Sequence, residues 1–75
     1  MNNIRRSQIK RAEELLNDAM EILNDAMNDE DDAFNNLPEG LQQSSRGEQM
    51  EENVDTLQDA IDSIEEAIDS LGNIE

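Results

Sequence analysis

Twenty carboxylates and five cationic side chains are the groups in this 75-residue chain that could do chemistry, because it has no His and no Cys. Without His it lacks the commonest general base and metal ligand. Without Cys it can form neither a disulfide nor a thiolate zinc site. The densest acid run, Asp29-Glu30-Asp31-Asp32, fails as a calcium loop on spacing. Counting from Asp29, Ala33 stands at the fifth position and Phe34 where the loop glycine belongs. Ser7, Ser44, Ser45, Ser63 and Ser70 have no His or Lys at a spacing that would activate a hydroxyl. Paired carboxylates abound, but acid–base work needs a concave site that separates two pKa values. The expectation is a non-enzymatic protein with no cofactor and no metal.

What the acids do have is order. Asp55, Asp59, Asp62, Glu66 and Asp69 advance in steps of four and three, the spacing of one helix face. Glu14, Asp18, Glu21, Asp25 and Asp32 do nearly the same earlier in the chain. Neither column has basic residues at i+4, so each repels itself. A surface serving only solubility mixes the two signs. The net charge is −15, and the cations Arg5, Arg6, Lys10 and Arg11 lie in an acid-free opening stretch, with Arg46 the only later base. Such a balance argues against direct binding of nucleic acid, which needs cations for its phosphates. It also disfavours an anionic membrane surface. No apolar run is long enough for a membrane span or a signal-peptide core, so the expected location is the cytoplasm.

Low aromatic content and high charge would also suit a disordered chain, but the apolar residues are periodic. Positions 9, 12, 16, 19, 23, 26, 30, 33 and 37 read Ile, Ala, Leu, Ala, Leu, Ala, Glu, Ala, Leu, a heptad seam broken only at Glu30. Leu15 and Ile22 flank it on one side, Met20, Met27 and Phe34 on the other. The Ala column suggests close approach of a neighbouring helix, or simply good helix formers. A second seam, Met50, Val54, Leu57, Ile61, Ile64, Ile68 and Leu71, has no lapse. Between them, Asn35, Asn36, Pro38 and Gly40 break the helix, Ser45 and Glu48 fit a capping box, and Gly72 stands at a C-cap position.

The expected fold is therefore all-α, a single domain over residues 1–75. Helix 1 spans about 4–34, a connector 35–45 and helix 2 about 46–71, paired antiparallel as a hairpin. Folding at about residue 40 sets Ile9 against Leu71, Leu16 against Ile64 and Leu23 against Leu57. That register also places the four N-terminal cations beside Glu65, Glu66, Asp69 and Glu75, and Arg46 near Asp32, offsetting the unfavourable macrodipole. Two helices cannot shield so wide a stripe. A homodimer forming a four-helix bundle is expected, with Leu15, Met20, Ile22, Met27 and Phe34 at its interface.

From Ala33 onward, the stretch AFNNLPEGLQQSSRGEQMEENVDTLQDAIDSIEEAIDSL resembles a group of short, acidic, uncharacterised helical-hairpin proteins of bacteria, their phages and other mobile elements. The shared features are the Ala-Phe-Asn-Asn-Leu-Pro-Glu turn, the Ser-Arg-Gly-Glu-Gln-Met-Glu helix start and the Asp-Ala-Ile-Asp repeats. The resemblance implies a phage or mobile-element origin, a setting in which small acidic proteins often inhibit host nucleic-acid machinery. It assigns no functional residue.

Three functional expectations follow. The first is a binding module whose acids, Asp55, Asp59, Asp62, Glu66 and Asp69 with Glu14, Asp18, Glu21 and Asp25, occupy a basic, nucleic-acid-binding surface of a host protein, plausibly a defence nuclease, by resembling DNA. The second is an assembly protein acting through its own coiled-coil oligomerisation. The third is a small adaptor presenting its basic N-terminus, Arg5, Arg6, Lys10 and Arg11, to nucleic acid.

Overall fold

The computed structural model describes residues 1–75 and contains only helices. The long helix α1 runs Asn3–Asn35, a single turn α2 runs Glu39–Gln42, and a second long helix α3 runs Ser45–Gly72. α3 packs back along α1, giving a rod with extents of 58 × 15 × 12 Å.

α1 begins where Asn2, in extended backbone, accepts from the Arg5 N–H at 2.8 Å. Its first turn holds no acid to meet the helix dipole. It ends at Asn36, whose N–H bonds to the Asp32 carbonyl, and Pro38 prevents continuation. The connector is more ordered than its composition indicates. Gln42 reaches back and donates from Nε2 to the carbonyls of Phe34, at 3.3 Å, and Leu37, at 3.1 Å, tying α2 to the end of α1. α3 is capped by Ser44, one residue earlier than expected, with its Oγ accepting from the Gly47 N–H at 3.4 Å. Gly47 is one of only two buried residues. A Cβ there would stand 2.1 Å from the Gln42 carbonyl oxygen, so the close passage of α2 over α3 requires glycine.

All seven residues of the α3 seam are at least half-buried, and Ile61, 2% exposed, is the centre of the core. On α1 the buried line departs from the heptad. Ala12 and Ala19 are half-buried, but Ala26 and Ala33 are exposed, and Met20, Met27 and Phe34 take their places against α3. A straight helix drifts by about 20° per heptad against a strict seven-residue repeat. Over three repeats the Ala column therefore walks out of the seam, and the Met and Phe column walks in.

The polar lapse at Glu30 is matched across the hairpin, where Asn53 Nδ2 donates to Glu30 Oε2 at 2.8 Å. The midpoint of that pair falls between Leu41 and Gln42, slightly beyond the expected fold at about residue 40, because α2 occupies the turn. Ile9, Leu71 and Ile74 line one groove at the open end. Gly72 is the last helical residue rather than a left-handed cap. No residue has positive φ, and Asn73 closes the helix in right-handed geometry.

Candidate functional site

The seam fixes where the acids stand. Helical residues are about 100° apart, so on α3 the column Asp55, Asp59, Asp62, Glu66 and Asp69 lies nearly opposite Leu57, Ile61, Ile64 and Ile68. All five are exposed on an outer edge of the rod. On α1, Glu14, Asp18, Glu21, Asp25 and Asp32 are likewise exposed and opposite the seam. The hairpin thus presents two acidic edges, one per helix, and neighbouring carboxylates within each are spaced by roughly 5–6 Å.

These acids are almost without counter-charge. The molecule's one ion pair links Arg11 to Glu14 of the same helix at 3.4 Å, with both side chains more than half exposed, a setting in which such pairs contribute little. Arg5, Arg6, Lys10 and Arg11 make no ion pair with Glu65, Glu66, Asp69 or Glu75, and Arg46 makes none with Asp32. The expected neutralisation of the N-terminal cations across the hairpin is therefore absent. The reason is directional, since Glu66 and Asp69 point away from α1. Arg6 instead donates from Nε to the Met1 carbonyl.

The bonds the α3 edge does make are local. Asp62 accepts from Gln58 Nε2 at 3.0 Å, and Ser63 Oγ donates to the Asp59 carbonyl. Neither neutralises charge. Asp55 borders a shallow groove of about 240 Å³ floored by Phe34 and Val54 and rimmed by Asp31, Asn35 and Glu51. It also joins a wholly polar depression with Ser45, Glu48, Gln49, Glu51 and Glu52. No three acids converge in a geometry that would hold a metal ion. No helix is long and apolar enough to cross a membrane.

Of the side chains expected at an oligomer interface, Leu15 and Ile22 are 51% and 67% exposed, while Met20, Met27 and Phe34 are half-buried in the hairpin's own seam. Three residues that position the site escaped the sequence reading: Gln42, Gly47 and Asn53. A glycine inside a helix start was the one visible signal for Gly47. Nothing in the sequence singles out Gln42 or Asn53 from the chain's other amides.

No protein-family model, curated protein or solved structure matches the chain.

Proposed function

We propose that this protein is a non-enzymatic acidic interaction module, a phage or mobile-element inhibitor that occupies a basic, nucleic-acid-binding surface of a host defence protein. The observation that carries this reading is the pair of exposed acid edges, almost without counter-charge, along a helical rod. A net charge of −15 over 58 Å amounts to about one charge per 4 Å of length, close to the 3.4 Å per charge of a single nucleic-acid strand and sparser than a duplex at about 1.7 Å. The acids are presented on helices rather than loops, which lowers the ordering cost of binding. The hairpin acts as a homodimer, a four-helix bundle in the cytoplasm of a bacterial host.

The test is capture of host proteins by the tagged chain at low salt, with Asp55→Asn/Asp59→Asn/Asp62→Asn as control. A nucleic-acid-binding protein held by the wild type and lost by the control supports the reading. Equal retention by both rules it out. One observation favours a second reading, self-assembly as the activity itself: Ile4, Leu15 and Ile22 of α1 stand exposed outside its seam. Assemblies well beyond a dimer would favour that alternative.

A further inference from the structure

The groove near the turn end of the rod sets an apolar floor beside an acid rim. Asp31, Phe34 and Asn35 come from α1 and Glu51, Val54 and Asp55 from α3, so the groove exists only in the closed hairpin. Phe34 is the only aromatic residue of the chain. It and Val54 are half-buried, while the three carboxylates are exposed. None of the three has an ion pair within the chain, since the single pair joins Arg11 to Glu14 toward the other end of α1. A cleft of about 240 Å³ is thus left open beneath three uncompensated negative charges.

We infer that this groove receives an arginine side chain of the basic partner. Such an anchor presupposes the acidic-surface reading, whose partner supplies the arginine. No three acids converge in a geometry that would hold a metal ion, so the cation that fits spreads its charge over several atoms. A guanidinium is planar and weakly hydrated, stacks on an aromatic face and donates to carboxylates in a fork. Its methylene stem covers apolar surface, here Val54, while its plane lies over Phe34 within the ~6 Å of a cation–π contact. An ammonium is a compact, strongly hydrated point charge and gains less from such a floor. Nucleic-acid-binding surfaces supply arginines, because they contact phosphates.

Asp55 also opens the acid column of α3, so the anchor and the edge form one continuous surface. The two parts do different things. Carboxylates repeated every three or four residues attract a basic surface in many registers, because each step along the column resembles the last. One arginine seated between the helices fixes a single register. Arginines enclosed at the centre of an interface are also where binding energy concentrates.

The probe is a hexapeptide of five lysines and one isotope-labelled arginine, titrated into the full chain at ~150 mM NaCl and followed by NMR. Phe34 is the chain's only ring, so a ring-current shift on the peptide reports contact with it alone. The arginine δ-methylene signals are expected to move upfield, and the lysine signals are not. Asp31→Asn/Glu51→Gln should weaken binding about 10-fold and abolish the shift. Asp59→Asn/Asp62→Asn removes the same charge outside the groove, and should cost less than ~3-fold and keep the shift. A peptide not held at ~1 mM overturns the inference. So does a saturated complex without an arginine shift, an equal shift on lysine, or equal weakening by the two pairs. Failure of the acidic-surface reading appears elsewhere, as equal retention of host proteins by the wild type and Asp55→Asn/Asp59→Asn/Asp62→Asn, and it leaves the peptide result standing.

Discussion

Gly47 and Asn53 are the residues on which the geometry of the hairpin turns. At Gly47, any side chain meets the Gln42 backbone, and backbone cannot swing aside as a flexible side chain can. Gly47→Ala is therefore expected to destabilise the fold by about 1–3 kcal/mol, as overpacking does, although alanine is the better helix former. Urea unfolding followed by circular dichroism measures this, and an unchanged or stabilised midpoint would refute the close passage of α2 over α3. Asn53→Ala removes the bond to Glu30 and leaves a half-buried carboxylate without its donor, at a cost of about 1–3 kcal/mol. Replacing both Glu30 and Asn53 with Leu should recover most of that loss, because an apolar pair satisfies the seam. A double variant no more stable than Asn53→Ala would contradict this. The seam at Glu30 was legible in the sequence as a lapse, but its partner was not, because an amide at position 53 carries no signal until the register is known.

The two long helices follow from periodicity, and the long apolar seam of α3 was legible residue by residue. The seam of α1 was legible only in part. A strict repeat of seven drew the reading to Ala26 and Ala33, whereas the straighter helix turns Met27 and Phe34 inward instead. The turn was harder still, since α2 is held by the Gln42 amide, which leaves no pattern, and by the packing at Gly47, whose only trace is a glycine inside a helix start. The acidic column of α3 was legible as a column, and its outward direction follows from the seam. Its self-repulsion yields a prediction at this scale. Asp55→Asn/Asp59→Asn/Asp62→Asn removes like-charge neighbours at i+3 and i+4, so its thermal midpoint should rise by roughly a few degrees at low salt. The gain should shrink in high salt as screening grows. A lower midpoint in scanning calorimetry would mean that these carboxylates hold structural partners.

As a whole molecule, the protein is a thin rod with a small core and two acid edges. Its two proposed associations should respond to salt in opposite directions. Self-pairing of the hairpin as a homodimer tightens as repulsion is screened, while binding of the acid edges to a basic partner weakens. Titrating both in parallel separates them. The measurement that tests the central claim most directly is competition. The captured host partner, held on immobilised wild-type protein at low salt, is challenged with duplex nucleic acid of random sequence. Occupancy of a nucleic-acid groove predicts that the duplex displaces the partner in a concentration-dependent way, and that Asp55→Asn/Asp59→Asn/Asp62→Asn retains no partner from the outset. A ternary complex of hairpin, partner and duplex would show that the acid edges lie elsewhere on the partner, and would contradict the claim.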